Sequence, residues 1–450
     1  MLSKKLANKT IRVGLLGAGT VGSQTARLIV EQGDELASRI GANIELAGVA
    51  CLRPEEVDAP WIKRDLLTTD TASLCTREDV DIVIELIGGL EPAHTFVKSA
   101  LSHGKSVVTA NKALLAKFGP ELYECAESHG VDLYFEAAVA GAIPIVRPLR
   151  ESLIGDEITQ IFGIVNGTTN YILDEMTVRG LDFDSALRAA QEKGYAEADP
   201  TGDVEGFDAA NKAAILATLA FQMPVSIDDV SVEGISAITA EDIAAAGAED
   251  RVIKLLAAVE RHDDGASVSV YPALVGAEHP LASVHGSFNA VFVKAQAADD
   301  LMFYGRGAGG APTASAVVGD VVCAARNLVR GCSGFGVPMY NKYVPAASEE
   351  TRADFVVRCS MEDTSAALRG EVMDVFAGHG VAAERLASAC EAQYAQSEGD
   401  SDCPQCGLGG PGSMRVLVRE CSEATVQSIC KDLQDLDFVL DKPLALRIIK

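Results

Sequence analysis

The chain has 450 residues, of which 48% are hydrophobic, and it carries a formal net charge of −26. Nucleic acids and anionic membranes are not expected partners, because binding to them depends on an excess of Lys and Arg. No apolar run is long enough to span a bilayer, and no signal segment opens the chain. The 11 cysteines lie scattered, mostly in apolar contexts, which favours reduced thiols in a cytoplasmic protein. We expect two or three domains.

The first predicted elements form a dinucleotide-binding fingerprint. An apolar strand that starts at Ile11 leads into Gly17-x-Gly19-x-x-Gly22, and a helix is predicted over residues 23–31. Gly17 allows the tight turn, Gly19 lets the backbone approach a pyrophosphate, and Gly22 lets the helix pack close to the strand. With a second strand at 44–50, the pattern predicts a Rossmann domain. Its cofactor-binding residues are Gly17, Ala18, Gly19, Thr20, Val21 and Gly22.

The end of the second strand bears on the choice of cofactor. NAD sites usually have an acid there to bind the ribose diol, but this strand is followed by Cys51-Leu-Arg53. Arg53 could accept a 2′-phosphate, which favours NADP and leaves NAD open. A surface arginine in a loop is the alternative interpretation.

Strands at 80–87 and 106–109, with a helix at 93–102 between them, continue the βαβ alternation of a parallel sheet. Ligands bind beyond the carboxyl ends of such strands, which brings Gly88 and Lys112 to the cofactor crevice. Lys112 could equally be an ordinary residue at a helix start. Residues 134–144 lead into a second domain of the α+β type, with a strand at 158–165, a polar turn at 166–170 and a helix starting at 171.

Residues 194–212 form an acid-rich loop that runs into an alanine-rich helix. If Asp203 or a near neighbour caps this helix, Asp208 and Lys212 lie on one face, about 6 Å apart at Cβ. Such a pair is usually a solvated ion pair on the surface. The alternative is a site for an amine-bearing substrate, because crowded carboxylates repel each other unless cations lie among them. The crowded acids are Glu197, Asp199, Asp203 and Glu205.

The last hundred residues predict a βαββαβ unit of the ferredoxin-like type. Its strands are expected at 354–360, 381–385, 414–420 and 444–449, and its helices at 365–379 and 424–433. An insert at 393–412 contains Cys403 and Cys406. This pair supplies only two zinc ligands, so a shared metal, a redox switch and an inert loop all stay open.

Seven ordered segments resemble the homoserine dehydrogenase family, and together they span roughly residues 11 to 345. They are GLLGAGTVG at 14–22, ELIGG at 85–89, VTANK at 108–112, EAAVAG at 136–141 with Pro144, GIVNGTTNY at 163–171, GYAEADP at 194–200 continuing to Lys212, and YGRGAGGAPT at 304–313. The resemblance implies reversible hydride transfer between L-homoserine and L-aspartate 4-semialdehyde, a step in threonine, methionine and isoleucine biosynthesis. No kinase-like segment precedes residue 11, so we expect a monofunctional enzyme.

The resemblance also implies roles for individual residues. Lys212 matches the general acid/base, Asp208 the carboxylate that holds the substrate, and Lys112 the lysine that closes over cofactor and substrate. The remaining substrate-binding residues are Glu197, Asp203, Asn166 and Thr168. Gly194 and Gly309 match positions where the backbone approaches the cofactor. A sodium ion, bound mostly by backbone carbonyls, is implied at Glu136, Val139, Gly141 and Ile143.

The C-terminal unit resembles an ACT domain, which implies an amino-acid effector such as threonine. It departs from the ACT pattern because Asp363 is followed by Thr-Ser-Ala rather than Pro-Gly, so assembly is the alternative role. The expected domains are 1–140 with a return segment near 310–343, then 141–343 and 351–450. We expect a homodimer or homotetramer. A nucleotide-binding amino-acid sensor without catalysis is the alternative function.

Overall fold

The computed structural model describes residues 9–262, 265–337, 344–345, 352–386 and 412–449. The helices in these ranges are α1 (Thr20–Glu31), α2 (Gly33–Ile40), α3 (Thr71–Thr76), α4 (Ala93–Ser102), α5 (Lys112–Ser128), α6 (Gly167–Arg179), α7 (Phe183–Glu192), α8 (Thr201–Val204), α9 (Phe207–Phe221), α10 (Ala240–Ala248), α11 (Gly310–Arg330), α12 (Ala366–Gly378) and α13 (Glu423–Gln434). No helix among them combines the length and hydropathy that crossing a bilayer requires.

The strands fall into two sheets. They are β1 (Thr10–Leu16), β2 (Asn43–Ala50), β3 (Leu67–Thr68), β4 (Ile82–Glu85), β5 (Ser106–Thr109), β6 (Leu133–Tyr134), β7 (Ile158–Ile164), β8 (Ser231–Val232), β9 (Arg251–His262), β10 (Gly265–Gly276), β11 (Phe288–Ala295), β12 (Asp299–Arg306), β13 (Val344–Pro345), β14 (Arg352–Met361), β15 (Ala383–Leu386), β16 (Gly412–Ser422) and β17 (Leu444–Ile449).

The N-terminal sheet is parallel and has the strand order β3-β2-β1-β4-β5-β6. Val13 and Ile84 of its central strands are fully buried, as expected for a sheet with both faces covered by helices. The predicted Rossmann-type architecture is confirmed. The carboxyl ends of β1, β4 and β5 therefore meet at one edge of the sheet.

Two element boundaries in this sheet were predicted wrongly. Helix α1 begins at Thr20 rather than Ser23, because the amide of Ser23 already bonds the carbonyl of Gly19 at 2.8 Å. Strand β4 is shorter than 80–87. The amide of Val80 bonds the carbonyl of Arg77 in a turn, and the amide of Ile87 donates to the Glu85 carboxylate at 2.9 Å.

Helix α11 packs against α1, although about 280 residues separate them in the chain. Its buried residues Val317 and Val321 belong to the same hydrophobic core as Ile11 and Val13. The chain therefore returns to the first sheet after it has built the second one.

The second sheet has eleven strands, nine of them in the order β12-β11-β7-β9-β10-β17-β14-β16-β15, with β8 and β13 also pairing with β10. Helix α9 contacts β9 and β10, and most of its buried residues are alanine or leucine, which permits close packing. Lys212 and Asp208 are carried on this helix. The position of α9 is thus set by the middle of the large sheet.

The C-terminal residues form the predicted βαββαβ unit, with its strands in the order β17-β14-β16-β15. Strand β17 pairs with β14 on one side and, in parallel, with β10 on the other through Ala273–Arg447, Leu274–Ile448 and Val275–Ile449. The unit is therefore joined to the middle of the chain by main-chain hydrogen bonds. Cys403 and Cys406 lie outside the described residues.

Candidate active site

A cleft of about 1000 Å³ lies where the edge of the first sheet faces helix α9. Val21 and Ala110 reach it from the Rossmann-type sheet, and Asn166 and Lys212 reach it from the second domain. A cleft of this size can hold a ligand the size of a cofactor together with a small second molecule. Its chemistry depends on the charged side chains that line it.

Asp208 and Lys212 form a direct ion pair in this cleft. Lys212 Nζ lies 2.6 Å from Asp208 Oδ2 and also donates to the carbonyl of Val165 at 2.7 Å. The side chains are only 11% and 16% exposed, so this is not the solvated surface pair that the spacing alone would suggest. The ammonium is held between a helix and the end of strand β7.

Two further groups bind the same carboxylate. Lys112 Nζ lies 3.1 Å from Asp208 Oδ1, and Asn166 Nδ2 donates to Asp208 Oδ2 at 2.9 Å. Burial alone would raise the pKa of Asp208, but the charges of Lys212 and Lys112 hold that pKa well below its usual range. Asp208 is thus an anion that pairs with the ammonium groups of both Lys112 and Lys212 in the cleft.

Asn166 is fixed by its own helix. Its side-chain oxygen accepts from the amide of Thr169 at 2.8 Å, so Asn166 is the N-cap of α6, which begins at Gly167 and not at Tyr171 as predicted. The capping bond leaves Nδ2 free to donate to Asp208 and, at 2.6 Å, to Asp203 Oδ1. Thr168, one residue into the helix, donates to the carbonyl of Tyr195 at 2.8 Å.

Helix α9 is capped by a near neighbour of Asp203 rather than by Asp203 itself. The N-cap is Gly206, whose φ of +85° makes a sharp turn between α8 and α9. Asp203 instead lies in α8 and lines the cleft, where burial raises the pKa of its carboxyl and Asn166 opposes that rise.

The four acidic residues of the loop at 197–205 do not all line the same cavity. Glu197 and Asp199 line the cleft with Asp203, whereas Glu205 accepts from Ser236 Oγ at 2.8 Å in a separate cavity. Glu197 is exposed and its carboxylate has no ion-pair partner among the described residues. It is open to a cationic group of a ligand.

The glycine fingerprint has the geometry that dinucleotide binding needs. Gly17 has φ of +102°, and a Cβ on Gly22 would lie 2.0 Å from the Gly17 carbonyl oxygen, so neither position tolerates a side chain. A Cβ on Gly19 would meet nothing within 4 Å, which leaves open space at the start of α1. Ala18, Thr20 and Val21 belong to the same turn, and Val21 lines the cleft.

The other expected cofactor residues are more scattered. Gly194 and Gly309 line the cleft. Gly88 does not, but its amide bonds the buried Glu85 carboxylate at 3.0 Å, which fixes the loop after β4. Arg53 is well exposed and pairs with Glu56 at 2.9 Å.

Among the residues expected to bind sodium, only Gly141 lines the cleft. The buried Glu136 carboxylate accepts from the amides of Val146 and Arg147, at 2.8 and 3.0 Å, so its own oxygens are occupied. Val139, Gly141 and Ile143 are buried, and no described residue donates a hydrogen bond to their carbonyls. No group of three His, Cys, Asp or Glu side chains suited to a metal occurs in the described ranges.

Sequence reasoning missed several side chains of the cleft. They are Lys193, Tyr195, Asn211, Asn289, Arg306 and Thr313. Lys193 and Arg306 directly adjoin or lie within the motifs 194–200 and 304–313, which is the signal that could have identified them. Both add positive charge near the cleft, where the phosphates of a cofactor would be favoured.

A second buried lysine lies outside the cleft. Lys254 of strand β9 donates to the carbonyl of Val284 at 2.6 Å and to Asn170 Oδ1 at 3.1 Å, both neutral acceptors. Burial lowers the pKa of Lys254 to about 8, and the more distant Asp174 opposes that shift.

Two family models match the chain. "Homoserine dehydrogenase, NAD binding domain" covers residues 17–136, and "Homoserine dehydrogenase" covers residues 144–322. The homoserine dehydrogenase of Corynebacterium glutamicum is 52% identical over 379 residues, which cover 82% of this chain and 84% of the relative.

Solved structures agree with these matches. The crystal structure of a homoserine dehydrogenase from Thiobacillus denitrificans superposes with a TM-score of 0.88 at 34% identity and covers 99% of each chain. A hyperthermophilic archaeal homoserine dehydrogenase in complex with NADPH has a TM-score of 0.60 at 27% identity, over 70% of this chain and 97% of that one.

Proposed function

The chain belongs to the homoserine dehydrogenase family of NAD(P)-dependent oxidoreductases that act on a CH–OH group, and we propose that Lys212 is the acid/base of this reaction. Oxidation of L-homoserine to L-aspartate 4-semialdehyde sends a hydride from the alcohol carbon to the nicotinamide and a proton from the hydroxyl to a base. In the reverse direction, the aldehyde oxygen receives that proton. The bound nicotinamide supplies the hydride chemistry, and the protein supplies the proton carrier.

The observation that carries the proposal is the Lys112–Asp208–Lys212 cluster. Lys212 Nζ lies 2.6 Å from Asp208 Oδ2, and this contact fixes the amine in the cleft, where it can pass a proton to or from the substrate oxygen. Alcohol oxidation needs the neutral amine and should therefore gain as the pH rises. Lys112, on the opposite side of Asp208, opposes the positive charge of Lys212 and covers the cleft.

The polar side chains around this cluster suit an amino-acid substrate. Glu197 is open to the cleft and would bind the substrate ammonium. Asp203 and Asn166 are hydrogen-bonded to each other and line the cleft beside Asp208. Thr168 fixes the Tyr195 backbone next to Gly194. A non-catalytic sensor is not favoured, because the acid/base pair and its partners are intact.

The cofactor is NAD(P), and we propose a preference for NADP. Arg53 follows strand β2 and is exposed, so its surface ion pair with Glu56 is weak enough to exchange for a 2′-phosphate. Lys193 and Arg306 would add to the attraction for phosphate.

We also propose a sodium ion held by backbone carbonyls. Buried carbonyls without a donor are unfavourable, and those of Val139, Gly141 and Ile143 are hard oxygen ligands that suit Na⁺. Glu136 would contribute through its backbone, since its carboxylate is already bound. Such an ion would fix the segment that connects the two domains.

The remaining proposals concern assembly and location. We propose a cytoplasmic homodimer or homotetramer paired through the second domain, with a C-terminal ACT-like unit that responds to threonine. The βαββαβ unit supports this reading of the C-terminal residues.

Initial rates test the proposal. Homoserine with NADP or NAD should raise the absorbance of the reduced nicotinamide, and more so with NADP. Arg53→Ala should raise KM for NADP about tenfold, a typical effect for one charge-assisted contact, and leave KM for NAD unchanged. Glu31→Ala, on the exposed end of α1, is the control. A folded sample that is inactive with both cofactors would support the sensor instead.

A further inference from the structure

Arg306 is a cation of the cleft whose charge is unpaired. It is the last residue of strand β12, it lines the cleft, and it is exposed. No described residue forms an ion pair or a hydrogen bond with its guanidinium. Lys112 and Lys212 differ, because both pair with Asp208. The charge of Arg306 is therefore available to an anionic group of a ligand.

Aromatic rings hold the guanidinium of Arg306 in place. Arg306 lies opposite Phe288 in the antiparallel pair of β12 and β11, and its Cζ lies 4.5 Å from the centre of the Phe288 ring. Tyr304 stacks on the same ring, with the two centroids 5.2 Å apart and the planes at 11°. The face of an aromatic ring attracts a cation, so the guanidinium has less conformational freedom to lose when it binds a ligand.

Close packing places the end of β12 beside the start of helix α6. A Cβ on Gly307 would lie 2.0 Å from Asn289 Nδ2, and a Cβ on Gly167 would lie 3.4 Å from Asn289 Oδ1, so the side chain of Asn289 packs against both glycines. Gly167 directly follows Asn166, the cleft residue that donates to the carboxylate of the proposed acid/base pair. Arg306, the neighbour of Gly307, is therefore on the side of the cleft where that pair lies.

The cofactor fingerprint lies beside a later part of the same segment. A Cβ on Gly310 would lie 3.0 Å from Thr20 Cγ2 and 3.1 Å from the Thr20 carbonyl oxygen. Thr20 begins helix α1, where the pyrophosphate of the cofactor is expected. The chain therefore runs from the substrate side of the cleft at Gly307 to the cofactor side at Gly310. This order favours direct contact of Arg306 with the substrate, and its charge adds to the attraction for phosphate only at longer range.

We propose that Arg306 binds the α-carboxylate of the substrate and that Phe288 and Tyr304 position its guanidinium. The ligand is the substrate of the proposed function, on which this assignment rests. That substrate carries a carboxylate as well as the ammonium assigned to Glu197, and a planar guanidinium can bind a carboxylate through two parallel hydrogen bonds. The carboxylate does not react, so the contact contributes equally to binding of the substrate and of the transition state.

Initial rates with L-homoserine and with its neutral amide, L-homoserinamide, test this assignment. Arg306→Gln should raise KM for homoserine about tenfold, the loss expected for one charge-assisted contact, and change kcat far less. The same substitution should not lower kcat/KM for homoserinamide. Arg306→Lys, which keeps the charge, should recover part of the loss. Phe288→Leu, which keeps the cation and removes the ring, should raise KM for homoserine about threefold.

Fluorescence titration with NADPH separates the substrate from the cofactor. The dissociation constant of NADPH should be the same for Arg306→Gln and for the wild type. Arg330→Gln, which removes an exposed arginine at the other end of helix α11, is the matched control and should behave as the wild type in every assay.

Equal losses with homoserine and homoserinamide, or an unchanged KM for homoserine, would overturn the role of Arg306. Weaker NADPH binding by Arg306→Gln, with KM for homoserine unchanged, would assign the guanidinium to the cofactor phosphates and would overturn that role as well. If the wild-type protein oxidised homoserine with neither cofactor, the proposed function would fail. Normal oxidation by the wild type, together with a variant that behaves in the same way, would overturn the role of Arg306 alone.

Discussion

Two buried lysines, in two regions of the same domain, differ in what surrounds them. In the cleft, Lys212 lies 2.6 Å from the carboxylate of Asp208. Behind helix α6, Lys254 donates hydrogen bonds to the neutral oxygens of Val284 and Asn170, and burial lowers its pKa to about 8. The comparison shows that burial beside neutral oxygens lowers the pKa of a lysine, whereas Lys212 is buried beside a carboxylate that pairs with its charge. The proposed function assigns the proton transfer to Lys212 and no catalytic role to Lys254.

The largest expected effect comes from removing the lysine of the cleft. Lys212→Met should lower kcat for homoserine oxidation about 10²–10⁴-fold, the contribution typical of a positioned acid/base, while cofactor binding is retained. Initial-rate assays measure kcat, and fluorescence titration with NADPH measures cofactor binding. Lys254→Met, which keeps the cleft intact, should retain turnover within about fivefold of the wild type. Near-normal turnover of Lys212→Met would contradict the assignment.

A smaller loss of activity is expected when Lys212 is left without a carboxylate, as Lys254 is. In Asp208→Asn, Lys212 and Lys112 lose the anion between them, so the protonated amine becomes less stable. We expect kcat to fall about 10–100-fold, as when an oriented charge is lost, and the pH of half-maximal homoserine oxidation to move downward. Asp199→Asn, another acid of the cleft but without a lysine contact, is the control. An unchanged pH profile would show that Asp208 does not govern Lys212.

The smallest effect concerns stability rather than turnover. With a folded-state pKa of about 8 for Lys254 against about 10.4 when unfolded, the unfolded chain binds the extra proton between these pH values. The free energy of unfolding of the wild type should therefore rise relative to Lys254→Met by roughly 2–3 kcal/mol from pH 7.5 to pH 10.5. Urea unfolding of both proteins at several pH values measures this, with the exposed Lys63→Met as control. A constant difference would mean that Lys254 keeps its proton.

Some of the site could be predicted because its signals are local. The glycine fingerprint is one tight turn, and the spacing from Asp208 to Lys212 is one turn of a helix. Both could therefore be predicted from a few consecutive residues. The sequence left open whether Asp203 or a near neighbour caps α9. The cap is Gly206, and a glycine in the left-handed conformation has no effect on hydrophobic periodicity.

Other features depend on distant parts of the chain. Lys112 meets Asp208 only because helix α5 packs against α9, and spacing cannot reveal that contact. Lys193 directly follows helix α7 and Arg306 ends strand β12, and periodicity does not predict that the ends of these two elements meet at the cleft. The separate cavity beside Glu205 has no sequence signal at all, since the residues that line it are as far apart as Glu205 and Arg447.

The position of strand β17 has a consequence for cooperativity. This strand lies between β10 and β14. If its three residue pairs with β10 separated, the main-chain hydrogen bonds that join the two parts of the large sheet would be lost. Local opening at this seam would separate two halves of one sheet and break the core that Leu274 of β10 shares with Ile448 of β17. The amides of residues 273–275 and 447–449 that bond across the seam would then exchange with solvent deuterium at a common rate, and that rate would measure how firmly the two halves are joined.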